Sequence, residues 1–116
     1  MKLNLLVIKS KNIHDLKDQY EMLGIKFEYH KHGEGPMHYS SIIDGIVFEI
    51  YPIKVDFIEI QGKLRLGFEV ENLDLLIKNI ERTTWRIIKG KYKSDYGNIA
   101  IIEDLDNNKI ELKERS

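Results

Sequence analysis

The sequence contains no cysteine. That single absence removes disulfides, thiolate nucleophiles and cysteine metal ligands together, and it fits a reducing compartment. Proline is scarce, with 2 in 116 residues, and no stretch is biased enough in composition to read as a linker. An excess of charge of one sign is also missing: 18 basic residues meet 19 acidic ones, for a formal net charge of −1. Nucleic-acid binding draws its affinity from basic side chains that displace counterions from phosphates, so this balance argues against it. A strongly acidic surface for a cationic ligand is excluded on the same count. Long apolar runs do not occur. The N-terminal stretch ending at Ile8 is broken by Lys9 and Lys11, too soon for a secretory leader or a membrane span. The expectation is a soluble, cytoplasmic protein with neither nucleic acid nor membrane as partner.

What is present is an ordinary globular balance, 42% hydrophobic and 32% charged, on a chain of one-domain length with room for a modest core. The apolar pattern alternates between strand and helix periods. Leu3 to Ile8 reads as a buried strand. Asn12 is a helix cap with Asp15 three residues on, and Ile13, Leu16, Tyr20 and Leu23 recur at helical spacing until Gly24 stops the helix. Phe27 to His30 is extended, and the loop from Lys31 to Pro36 is irregular. His38 to Ile43 and Ile46 to Tyr51 flank Asp44-Gly45, the dipeptide preferred where both turn positions need positive φ. The second half runs in the same order. Leu64 to Val70 is a strand, Asn72 a cap, and Leu73, Leu76, Ile77 and Ile80 a helical stripe. Trp85 to Ile88, Asn98 to Glu103 and Lys109 to Lys113 are strands. Val55 to Ile60 alternates and fits an extra edge strand or a connection.

A shift of about 60 positions superposes the halves, in the way internal repeats are sought. Asn12-Ile13 falls on Asn72-Leu73, Leu16 on Leu76, Tyr20 on Ile80, and, after a small insertion, Phe48-Glu49-Ile50 on Ile110-Glu111-Leu112. The reading is an α+β fold of two βαβββ repeats, about 1–53 and 62–116, sharing one core in a single domain.

Several segments carry a resemblance. They are Leu5-Leu6-Val7-Ile8 with Lys11-Asn12-Ile13, Tyr20 to Ile25, Gly45 to Pro52, Leu66 to Asp74, and Asp104 to Leu112. In this order and spacing the chain resembles the glyoxalase/bleomycin-resistance/extradiol dioxygenase (vicinal oxygen chelate) superfamily over its whole length. The resemblance implies a cup-shaped mixed sheet, a homodimer, and a divalent metal held by His or Gln on the first strand of each half and Glu on the last. Glu49 and Glu111 match the last-strand positions. Leu5 and Arg65 stand at the first-strand positions, and neither side chain has a lone pair to give. No metal cofactor is therefore expected, with Glu49 and Glu111 as the ligands if one binds. Arg65 offers a planar fork that could bridge the two carboxylates, or receive an anionic ligand.

The Asp44-Gly45 turn sets a register in which Ile43 faces Ile46, Ser40 faces Glu49 and His38 faces Tyr51. His38, Ser40, Ile42, Val47, Glu49 and Tyr51 then share one face. His38 and Glu111 are the candidate proton-transfer residues. Ser40, Glu49, Tyr51 and Arg65 are the candidate ligand-binding residues. His30, His32 and His38 form a loose cluster around the Gly-Pro loop and could bind a metal, but no spacing there matches a zinc pattern, so a solvated loop is expected. Tyr29, Trp85, Tyr92 and Tyr96 are candidate aromatic walls, and aromatics on such sheets more often serve the core. The functional expectation is a small-molecule binding or sequestering protein, with a metal-dependent lyase or dioxygenase as the alternative.

Overall fold

The computed structural model describes residues 1–53 and 64–116. Val55 to Ile60, the candidate edge strand, lies outside them. The described residues fall into two compact units, one on each side of that gap.

In the first unit, β1 (Leu5–Ser10) leads through α1 (Ile13–Met22) to β2 (Glu28–His30), β3 (His38–Ile43) and β4 (Ile46–Pro52). The strands lie in the order β1-β4-β3-β2, with β1 parallel to β4 and the other pairs antiparallel. The second unit repeats this with β5 (Arg65–Val70), α2 (Leu73–Ile80), β6 (Arg86–Ser94), β7 (Gly97–Glu103) and β8 (Lys109–Glu114), ordered β5-β8-β7-β6. Each unit is thus βαβββ, an α+β arrangement. The repeat is visible residue by residue. Val7 pairs with Glu49 as Gly67 pairs with Glu111, and each helix opens on an asparagine.

Those caps work through the same contact. The Asn12 side chain accepts the Asp15 N–H at 3.1 Å and the Asn72 side chain accepts the Leu75 N–H at 3.0 Å, each satisfying a donor that the first helical turn leaves free. Behind them the helical stripes cover one sheet face. In the first unit Leu16, Tyr20 and Ile50 are fully buried with Phe48, and Tyr20 meets Phe48 edge-on at 5.4 Å. In the second, Leu73, Ile80, Ala100, Ile102, Ile110 and Leu112 have no exposed surface. Burying each of the larger aliphatic side chains contributes roughly 1.5–3 kcal/mol.

The Asp44-Gly45 hairpin takes positive φ at both turn residues, 49° and 81°, and the register follows as expected: Ile43 opposite Ile46 and Ser40 opposite Glu49. One strand departs from the sequence reading. β6 runs on to Ser94 rather than ending near Ile88, and its register with β7 shifts twice, between Ile87 and Lys89 and between Lys89 and Tyr92. Bulges of this kind erase the period of two on which strand reading depends, and the lysines Lys89, Lys91 and Lys93 sit on an edge strand, where charge is at home.

Candidate functional site

Because α1 covers one face of the first sheet, the other face is left open. Strand alternation puts Leu5 and Val7 of β1, Val47, Glu49 and Tyr51 of β4, and Ser40 and Ile42 of β3 on that face, and β2 adds Glu28 and His30. A cavity of about 730 Å³ opens here. Its floor is apolar, from Leu5, Ile42 and Val47, and one end is polar, from His30, His32 and Glu49. Ile42, Leu5 and Val7 are 75%, 49% and 38% exposed, and a group of uncovered aliphatic side chains on one face marks a surface for binding.

Four of the residues singled out in the sequence, His38, Ser40, Glu49 and Tyr51, come together in this unit. Ser40 is the direct cross-strand neighbour of Glu49. His38 is fully buried, and its Nε2 lies 3.2 Å from Glu49 Oε2. The Tyr51 ring stacks on the imidazole, with centroids 4.0 Å apart and planes 12° from parallel. Burial, and secondarily the Glu49 carboxylate, push the Tyr51 phenol above its ordinary value, so this ring stays neutral beside the carboxylate.

Arg65 and Glu111 belong to the second unit and pair with each other, Nη2 to Oε1, at 3.5 Å. Their side chains are 63% and 37% exposed, a geometry that water screens to at most about 1 kcal/mol. Ile99 and Ile101 stand opposite Lys113 and Glu111, where the first unit has polar residues, so the repeat does not duplicate the polar cluster.

His32 is exposed on its loop as expected, but the three histidines gather more closely than a solvated loop requires. The rings of His30, His32 and His38 stand 4.7 to 5.1 Å apart by centroid. One donor atom from each, with a carboxylate oxygen of Glu49, lies within 4.8 Å of all the others. Two local devices bring this about. His30 pairs directly with His38 in the β2–β3 ladder, which puts both on the open face. The intervening loop folds back through a turn in which the Gly35 N–H donates to the His32 carbonyl at 2.9 Å, with Gly33 at φ 53°. The missed signal was the ladder: once His38 is placed by the Asp44-Gly45 turn, a short loop returns β2 in antiparallel register and aligns His30. Of the candidate aromatic walls, Trp85 is core at 4% exposure, Tyr29 lies against Tyr39, and Tyr96 is 76% exposed.

No protein-family profile matches the sequence. An uncharacterized protein of Mycolicibacterium smegmatis (strain ATCC 700084 / mc(2)155) is 27% identical over 104 residues, covering 90% of this chain and 85% of that one. Among solved structures, TnmS3, an antibiotic binding protein from Streptomyces sp. CB03234, superposes with a TM-score of 0.78 at 19% identity over 100% of this chain and 97% of its own. A glyoxalase/bleomycin resistance protein/dioxygenase family enzyme from Burkholderia phytofirmans PsJN superposes with a TM-score of 0.76 at 16% identity, over 98% of both chains. The chain has the glyoxalase/bleomycin-resistance fold.

The residues here do not fit the metal-ligand set that the superfamily resemblance implies. Glu49 and Glu111 occupy the last strands β4 and β8, but the first strands β1 and β5 offer Leu5 and Arg65. Val7 and Gly67, the direct partners of the two glutamates, cannot ligate either. Among the described residues, the side chains that gather with Glu49 at ligand distance are the imidazoles of β2, β3 and the loop between them.

Proposed function

We propose that this protein binds a small organic molecule on the open face of its first sheet and holds it without chemical change. The observation that carries the reading is the cavity itself. It has about 730 Å³ of space, within the range of drug-sized ligand sites, and it combines an apolar floor with a few convergent polar groups, the usual make-up of such sites. A fold shared with an antibiotic binding protein supports an antibiotic-like ligand resting on Leu5, Ile42 and Val47. Ser40, Glu49 and Tyr51 would orient it. Arg65, on the second unit, is a separate candidate for an anionic ligand. We also propose a single domain working as a cytoplasmic homodimer: the absence of cysteine supports the compartment, and the superfamily resemblance supports the dimer. Sedimentation of the purified protein tests the last point, and a monomer at micromolar concentration removes it.

The direct test is a fluorescence titration with a panel of aromatic and glycopeptide antibiotics, bleomycin included. Saturable 1:1 binding is expected, weakened at least tenfold, about 1.4 kcal/mol, by Ile42→Asp. That side chain is exposed, so the substitution leaves the core intact. Absence of saturable binding across the panel would sink the antibiotic reading.

A metal-dependent lyase or dioxygenase is the second reading, and the one observation that favours it is the histidine–glutamate cluster at the polar end of the cavity. Turnover of a bound substrate, abolished by a chelator, separates this reading from simple binding.

A further inference from the structure

The contact between His38 and Glu49 poses a chemical question that organic-ligand binding does not answer. His38 Nδ1 lies 3.1 Å from the Pro36 carbonyl oxygen. A carbonyl oxygen only accepts, so Nδ1 carries the proton. In neutral imidazole Nε2 then presents a lone pair, and it does so 3.2 Å from a carboxylate oxygen. Two electron-rich atoms at that distance need a positive charge between them. A proton on Nε2 could supply it, but Nε2 is not aligned on Oε2 for a hydrogen bond and has no hydrogen-bond partner among the described residues. His30 Nε2 is in the same state: buried, without a hydrogen-bond partner among the described residues, and 3.9 Å from the same Oε2 of Glu49. Two imidazole nitrogens thus converge on one carboxylate oxygen off the line of a hydrogen bond.

That is the arrangement a metal ion requires. Ligands approach a common centre along their own lone pairs, and donors about 2.0–2.1 Å from a tetrahedral ion stand about 3.3 Å from one another. The His38–Glu49 separation of 3.2 Å is such an edge already, and His30 needs a shift of about half an ångström to complete the next. The Nδ1–H of His38 on a backbone carbonyl is the outer contact that fixes the tautomer of metal-bound histidines. Stacking against Tyr51 holds the ring plane.

We propose that His30, His32, His38 and Glu49 form a binding site for one late first-row divalent ion. Imidazole donors suit zinc, nickel and copper, whereas magnesium and calcium call for oxygen. Three strand residues supply the rigid part, and His32, exposed on the loop, closes the fourth position. This set lies wholly within the first unit. It shares Glu49 with the pattern that the fold implies, but takes its other ligands from β2, β3 and their loop instead of the first strands. The site does not depend on the ligand reading above, and zinc binding measured with no organic molecule present keeps the two apart.

The test is calorimetric titration of zinc into tag-free, chelator-treated protein, in excess magnesium. One zinc per chain is expected. Glu49→Gln and His32→Ala should each weaken it by at least about 10- to 100-fold, the loss that even an outer-shell partner brings. His32 is exposed, so its variant keeps the fold, and an unchanged far-ultraviolet circular dichroism spectrum checks both variants. His14→Ala, which removes the histidine paired instead with the Tyr39 hydroxyl, should bind as the parent does. No stoichiometric zinc overturns the proposal. So does wild-type affinity in either the Glu49 or the His32 variant, or loss of binding in the His14 variant.

Discussion

Single side chains in this protein take on roles that residue type does not announce. Glu114, near the C-terminus, accepts the Leu73 N–H at 2.9 Å and the Asn98 side-chain amide at 3.2 Å. The first bond, then the second, hold its carboxyl below the usual carboxylate value. The sign follows from linkage. A depressed acid stabilises the fold fully above its unfolded pKa and loses that contribution as pH falls through the lower, folded one. The stability of the protein should therefore decline from about pH 4.5 downward more steeply in the parent than in Glu114→Gln, and urea midpoints measured from pH 6 to pH 3 would show it. Parallel curves would mean that the helix terminus does not depend on this charge. The histidines teach the complementary lesson. His38 could be assigned to a face from the turn at Asp44-Gly45 alone, because strand alternation counts outward from a known pair. His32 could not. Its position depends on how a glycine-rich loop folds back, and glycine's freedom leaves that path unspecified by local sequence.

Helices and strands are where local sequence is most informative. Asn12 and Asn72 sit immediately before periodic apolar runs, and both cap as their type predicts. Hairpin β3–β4 is equally plain from its turn residues. β6 is not, since two register shifts and three lysines hide an edge strand that pairing with β7 alone maintains. If the caps act locally, Asn12→Ala and Asn72→Ala should each cost about 1 kcal/mol, read as a fall in urea midpoint at constant slope. A larger loss at Asn12 is consistent with its second bond, from the side-chain amide to Asp15 at 2.7 Å. A loss under about 0.3 kcal/mol at either site would show that packing of the stripe, not the cap, starts that helix.

At the scale of the whole chain, the repeated βαβββ unit raises the question of whether 116 residues unfold together. Each sheet has its own helix and its own buried cluster, so independent unfolding is physically available. Domain economy argues the other way. A unit of fewer than 60 residues buries too little surface to be stable with a margin, and the first sheet leaves Leu5, Val7 and Ile42 exposed. The sequence contains a single tryptophan, and Trp85 is buried in the second unit at 4% exposure, which makes it a reporter for that unit alone. Leu16, fully buried in the first unit, is a site where truncation to alanine costs about 2–5 kcal/mol. If the chain is one cooperative domain, Leu16→Ala should lower the urea midpoint seen by Trp85 fluorescence as much as that seen by far-ultraviolet circular dichroism. If the units unfold separately, the Trp85 transition should stay where it is while the dichroism signal splits in two. The first result makes the polar cluster and the second unit parts of one folding unit, so that zinc bound at His38 would also raise the Trp85 midpoint by mass action.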